Sequence, residues 1–493
     1  MLMKMNRIDI YLRRIFLFVT LILTMGVGKV WADTWDGTVP STANVSKAEC
    51  NKIGITGSGT QADPYIISTA KQFAYFASKM NGNTAWWKLK GNIVLDLNGD
   101  NYVWTYGQNN WTFKGHFDGG GHTVSNYTIT PITNKANGLF GTVKGNNATT
   151  GRAEIKNLKI DDVTINTTTD LGSTTYIGSL IGNVSQYVDL KNVQIIDVDN
   201  NKTTVSITLD NLTGNCYIGG LIGAFQKNST IENCTANIPV VTVKGEGSTI
   251  AGTCYIGGVI GYFTGASSTE VSKIDKPTSG STNGLTVSSS SVTVHKILSS
   301  WYIGSAIGRI NNYSDINYVT IANPTLIYKA VGSPNNALYL GTLTGHLQGN
   351  AGSSTVTPVS TPVKNIKITG TSNITIGTGS EEIKNVKAGI VGQATTNVDI
   401  DNWNIATSNI TAKGSLTTST DYFGGVIGQV SSAKSTADTD IQTKINNVTL
   451  TKSTISVTGD VVKESYIGSI FGRIEGYAGD ATNKPKRTII PDE

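Results

Sequence analysis

One short pattern recurs along most of this chain and limits what it can fold into. Tyr-Ile-Gly-x-aliphatic-Ile-Gly stands at Tyr176–Gly182, Tyr217–Gly223, Tyr255–Gly261 and Tyr302–Gly308. It returns with small changes at Tyr422–Gly428 and Tyr466–Gly472, and looser copies end at Gly141, Gly345 and Gly392. The closing glycines are separated by 41, 41, 38, 47, 37, 47, 36 and 44 residues. A repeat of nearly constant but elastic length is the mark of a solenoid, in which each unit buries its apolar face against its neighbours and the loops vary.

Between these copies lies a second unit, aliphatic-x-Asn-apolar followed by alternating residues, as in Ile155–Ile160, Leu190–Ile195, Val363–Ile368 and Ile445–Leu450. A third β-like run follows, as in Val163–Ile165, Val205–Ile207, Val240–Val243, Ile374–Ile376 and Ile455–Val457. Three short period-two segments per repeat predict an all-β fold, a right-handed parallel β-helix of about nine coils, each hydrogen-bonded to the next at about 4.8 Å. Composition agrees: 55 of 493 residues are Gly and only 15% are charged, so strands rich in Thr, Val and Ile are joined by residues suited to tight corners.

The recurring Asn has a physical reason. At Asn126, Asn157, Asn192, Asn233, Asn365, Asn385, Asn402 and Asn447 it follows an aliphatic residue by two positions, where a coil turns a corner. Asn tolerates the left-handed backbone region, and its amide can bond the equivalent amide one coil away. Asn157, Asn192, Asn233, Asn365 and Asn447 are therefore expected to form an internal ladder. Tyr176, Tyr217, Tyr255, Tyr302, Tyr422 and Tyr466, with Tyr339, are expected to form a column on one strand face, either packed to stiffen the rod or open to stack on sugars. Cys216 and Cys254 precede Tyr-Ile-Gly-Gly in consecutive repeats, so the stacking would bring them together as a disulfide or as buried thiols. Cys50 and Cys234 have no evident partner.

The two ends differ from the middle. Residues 1–32 read as a secretory signal peptide: Lys4, Arg7, Arg13 and Arg14 precede an apolar run from Ile15 to about Gly28, and Val30-Trp31-Ala32 offers a cleavage site. That apolar run is too short to span a bilayer, so no transmembrane segment is expected after cleavage. Residues 33–137 form an N-terminal cap and first strands, with one short helix from Ser68 or Thr69 to Met80 lying as a lid on the first coil. The repeats occupy 138–475, and 476–493 read as a polar tail. The whole chain carries 39 Lys+Arg and 34 Asp+Glu, but residues 1–32 hold five and one of these, leaving 34 against 33. So balanced a chain has no electrostatic case for nucleic acid.

The copies Gly219-Gly-Leu-Ile-Gly223, Gly257-Gly-Val-Ile-Gly261 and Gly424-Gly-Val-Ile-Gly428 resemble those of the GLUG-motif proteins of bacteria. Asp63-Pro-Tyr-Ile-Ile-Ser68 and Gly115-His-Phe-Asp-Gly-Gly-Gly-His-Thr-Val124 are similar to the segment that introduces such arrays in Bacteroidetes proteins. The resemblance covers about residues 60–475. It implies a secreted or outer-surface location and an adhesin-like role, or service as the accessory array of a surface peptidase whose catalytic domain is not visible here.

Signals for chemistry are thin. A polysaccharide lyase needs clustered carboxylates and a basic residue, but Asp161-Asp162, Asp197, Asp199, Asp275, Asp315, Asp399 and Asp401 show no common phase. Asp96-Leu-Asn-Gly-Asp100-Asn begins like a Ca²⁺ loop but has Asn101 at position six and Gly107 at position twelve. His116 and His122 flank Asp118-Gly-Gly-Gly121, which reads as a turn between strands. No metal, cofactor or catalytic residue is therefore assigned. Trp86, Trp87, Trp104 and Trp111 gather in the N-terminal region and are the candidate ligand-binding residues. The expected function is a non-enzymatic exported β-solenoid at the bacterial surface, an adhesin or binding scaffold for host or microbial glycans or proteins. Its specificity would lie in loops such as 264–285 and 346–362. The alternative is a carbohydrate-active β-helix enzyme, a polysaccharide lyase or glycoside hydrolase, or the accessory array of one.

Overall fold

The computed structural model describes residues 36–475 and 487–489, less 42–44, 98–99, 109–110, 168–170, 173, 199–201, 251, 279, 281–282, 296–299, 330–336, 351, 353–357, 380–381, 417–419, 432–441 and 459–464. The proposed signal peptide lies outside the described residues.

Alternation decides which side chains enter the core, and hydrogen bonding between coils lines them up. Tyr65 pairs with Trp87, Trp87 with Phe117, and the column continues through Ile155, Leu190, Ile231, Ile274, Ile316, Val363, Ile400 and Ile445. Every pairing in this column is parallel, and nearly all these residues are sealed from solvent. Each coil adds a strand to this face, passes a corner into a second run of strands such as Lys159–Thr167 and Val240–Ile250, and returns through the glycine motif. The chain is therefore a parallel β-helix. Burying each apolar side chain contributes about 1.5–3 kcal/mol relative to leaving it exposed, so the continuous column is the main source of cohesion between coils.

The motif glycines are needed where backbone of adjacent coils meets. A Cβ on Gly223, Gly261 or Gly308 would lie 2.5, 2.6 or 2.4 Å from the carbonyl oxygen of the preceding coil's glycine. Side chains cannot approach so closely.

All eight predicted corner asparagines adopt positive φ, between 49° and 62°. Asn157, Asn192 and Asn233 occupy successive turns of one corner: Asn157 donates to Asp118 Oδ1 at 3.0 Å, Asn192 to Asn157 Oδ1 at 2.9 Å and Asn233 to Asn192 Oδ1 at 2.7 Å. The ladder then changes composition. Tyr318 takes the corner with φ 54°, and Asn317 beside it donates to Asp275 and accepts from Asn365 at 2.7 Å. Asn402 donates to Asn365, and Asn447 donates to Asp401 at 2.9 Å. One expectation needs correcting: the ladder is not internal. Its members are partly or largely exposed, because the left-handed turn directs the amides along the outside of the corner.

Among the described residues the N-terminal region contains two α-helices rather than one, with a short 3-10 turn at Tyr106–Gln108. α1, Lys47–Lys52, is capped by Ser46, and α2, Ala70–Ser78, by Thr69, whose hydroxyl accepts from the Gln72 N–H. Phe73 and Phe76 of α2 lie over the end of the rod, with ring centroids 4.9–6.1 Å from Trp87, Trp104, Phe113, Phe117 and Phe140. At the other end Ile467, Ile470 and Ile474 are 54, 42 and 43% exposed. The predicted polar tail contains a short strand, Arg487–Ile489, which adds in parallel to Gln442–Thr458.

Candidate binding surface

In the glycine-motif sheet, register places Tyr176, Tyr217, Tyr255, Tyr302 and Tyr339 opposite one another on the outer face. Their ring centroids are 4.8, 4.9, 5.3 and 4.8 Å apart, with interplanar angles of 9, 5, 12 and 17°. Rings this close cover each other's faces and leave only edges and hydroxyls to solvent. The column therefore stiffens the rod and offers no flat faces to sugars. Burial pushes the Tyr339 phenol up to about 12.

The column is interrupted once. Lys387, in the loosest repeat, stands between Tyr339 and Tyr422, with its Nζ 5.2 and 5.7 Å from those ring centroids and the residue only 7% exposed. Burial pushes the ammonium down to about 8, against the pull of Asp421 and Glu475. Beyond it Tyr422 and Tyr466 resume the stack at 5.5 Å.

A second outward column runs beside the first: Tyr262, Arg309, His346, Gln393, Gln429 and Arg473 oppose one another in turn. Arg309 Cζ is 4.8 Å from the Tyr302 ring centroid, and the His346 ring stacks on Tyr302 at 5.3 Å. Burial, with Arg309 and Lys387 nearby, holds His346 neutral, its acidity far from the usual imidazole range. Arg473 donates to Tyr422 Oη at 2.9 Å and pairs with Glu475 at 2.6 Å.

A different face carries a run of ion pairs, and it corrects the expectation that the aspartates are out of phase. Asp275, Asp315, Asp399 and Asp401 are in phase: they stand with Glu154, Asp189 and Glu232 in two adjacent outward columns of one sheet. Their phase was hidden by insertions such as 276–284, which lengthen a coil without changing its register. Several carboxylates are tied to neighbouring cations. Glu154 pairs with Lys156 at 2.6 Å and Lys191 at 3.4 Å, Asp189 with Arg152 at 2.6 Å, and Lys364 with Asp399 at 2.9 Å. Glu232 and Asp315 are raised above the usual carboxylate range, chiefly by burial and then, among the acids, by Asp189 and Asp275 respectively. Asp161, on the strand beyond the corner, pairs with Ser125 and lies off this face.

The four tryptophans do not form one binding patch. Trp87 is a rung of the core column, 1% exposed, and Trp104 is fully buried, its Nε1–H donating to Leu139 O at 3.0 Å. The reason is parity: Trp87 points inward with Phe117, whereas Trp86 points outward with His116, stacked at 3.6 Å and 7° at one end of the charged face. Trp111 is half-buried beside the strand Thr112–Phe113.

Cys216 and Cys254 oppose one another in adjacent coils, inside the rod, as free thiols; Cys50 and Cys234 are also buried thiols. Burial pushes the Cys254 thiol well up. Asp96–Leu97 pairs antiparallel with Asp100–Val103 in a hairpin, and His122 lines a shallow depression with Lys88 and Lys90 and takes no part in the His116–Trp86 stack. The two proposed specificity loops are shorter than expected, because Ser272–Asp275 and the end of Leu338–Gln348 are strands within coils. Among the described residues no three His, Cys, Asp or Glu side chains group to hold a metal ion, and no helix is long and apolar enough to cross a membrane.

No family model matches the chain. No curated protein matches it either. Among solved structures, the catalytic domain of a GH87 alpha-1,3-glucanase in complex with tetrasaccharides is similar at 11% identity and a TM-score of 0.20, over 87% of this chain and 70% of that one. At that score the likeness adds nothing to the fold, which rests on the strand register.

Proposed function

We propose that this chain is an exported β-solenoid of the GLUG-motif kind, serving at the bacterial surface as a non-catalytic binding scaffold for glycans. Repetition on the outer faces carries this reading. The same outward positions recur at each coil, so the rod presents evenly spaced side chains that a repeating polymer can meet with many weak contacts at once. The near-neutral charge beyond residue 32 argues against nucleic acid as that polymer. A panel of neutral and acidic polysaccharides, read both for binding and for released product, tests the proposal. Binding without product is expected, and product release would overturn it.

The second reading, a carbohydrate-active enzyme, rests on Glu232, Asp275 and Asp315. These carboxylates share one face, and two are raised by burial, as a general acid requires. If product is released, Glu232→Gln and Asp315→Asn would each abolish it under this reading; undiminished release by both variants would rule the trio out.

A further inference from the structure

We propose that Arg309 and Lys387, which flank the buried His346 on the outer face of the glycine-motif sheet, bind the carboxylate or sulfate groups of an acidic polysaccharide. The proposal rests on the scaffold reading and names its ligand class.

The three residues belong to three successive coils. Arg309 opposes His346, which opposes Gln393, while Lys387 opposes Tyr339 in the neighbouring column. His346 thus lies between two cations, its ring 5.3 Å from that of Tyr302 and 5.4 Å from that of Tyr339. At the coil spacing of about 4.8 Å, Arg309 and Lys387 are separated by about two coil steps, close enough to share one polymeric anion.

The contrast with the charged face shows what is missing here. There Lys156, Lys191, Arg152 and Lys364 all have carboxylates within 4 Å. Among the described residues Arg309 and Lys387 have none. Arg309 donates to Gln348 and to Asn311 Oδ1, and Lys387 to Asn385, all neutral acceptors. Arg309 Nε and His346 Nδ1 are buried without a hydrogen-bond partner, and His346 is 6% exposed. Two like charges on an aromatic surface, neither with a carboxylate within ion-pair distance, are stabilised by an external anion that accepts from the two cations. The position of Lys387 adds to this. The six strong copies of the motif and the looser copy at Tyr339 have Tyr at this register, so Lys387 places a cation within a column that Tyr would stack without a break.

The test uses the chain from residue 33 onward and three soluble polymers at low salt: polygalacturonate for carboxylate, dextran sulfate for sulfate, and neutral dextran. At least one acidic polymer should bind about tenfold more tightly than dextran, and R309Q/K387Q should remove about tenfold of that affinity. Lys364→Gln, on the charged face, should leave it unchanged. K387Y, which fills the column and keeps the fold, gives a second measurement should the double variant fold poorly. Binding of the acidic polymers that is indifferent to these substitutions, or no stronger than that of dextran, overturns this inference while leaving the scaffold reading in place. Absence of binding to any polymer, acidic or neutral, removes both.

Discussion

The Asn192 side chain donates to Asn157 Oδ1 at 2.9 Å and accepts from Asn233 at 2.7 Å while its own backbone sits at φ 53°. One residue thus meets two demands, a left-handed corner and a bridge to both neighbouring coils. Asn192→Ala should lose both and destabilise the rod by about 1–3 kcal/mol. Asn192→Gly, which relieves the backbone but not the amides, should lose less. Chemical denaturation of the three proteins checks the order; equal stability of the wild type and the Ala variant would show that the ladder contributes nothing.

Lys387 predicts a stability gain. Its pKa is lowered to about 8 from an ordinary 10.5, so keeping it charged in the fold costs about 3 kcal/mol at neutral pH. The unfolded chain holds the extra proton between those values, so this contribution makes stability rise as pH rises from about 8 to 10.5. Lys387→Tyr, joining Tyr339 to Tyr422, should raise the melting temperature at pH 7 and show a smaller advantage at pH 10. A melting temperature unchanged or lowered at pH 7 contradicts the argument.

Asp421 carries the opposite sign. It is fully buried at the first strand residue, opposite Ser465, with Oδ1 accepting from Val386 N–H at 2.8 Å and Oδ2 unpartnered. Burial pushes it up to about 6 from 3.8, so the folded state binds the proton more tightly and stability falls as pH rises through that window. Asp421→Asn keeps an acceptor for Val386 and should stabilise by up to about 3 kcal/mol at pH 8, with no gain at pH 3.5. Urea titrations at the two pH values measure the difference, and a pH-independent effect would show that ionisation is not its source.

The thiols should be silent in the folded protein. Cys216, Cys234 and Cys254 are no more than 1% exposed, and burial raises Cys234 and Cys254. Since the thiolate is the reactive form, Ellman's reagent should titrate almost none of them natively and all four cysteines after denaturation. Rapid native labelling would place a cysteine at the surface.

What the sequence determined by itself was local. The repeat period, the alternation of strands and the corner asparagines are each dictated by a rule spanning a few residues: two-residue parity in a strand, and positive φ where the chain must turn. A hydroxyl helix cap at Ser68 or Thr69 is of the same kind, and the fold uses Thr69, which accepts from the N–H of Gln72. Tertiary structure decided everything that depends on phase between coils. Adjacent Trp86 and Trp87 have the same chemistry, yet pairing with His116 and Phe117 sends one outward and the other into the core. Asp275, Asp315, Asp399 and Asp401 share a face, and Lys387 falls between two tyrosines, because hydrogen bonds between coils set the register while loops of unequal length absorb the difference in sequence spacing.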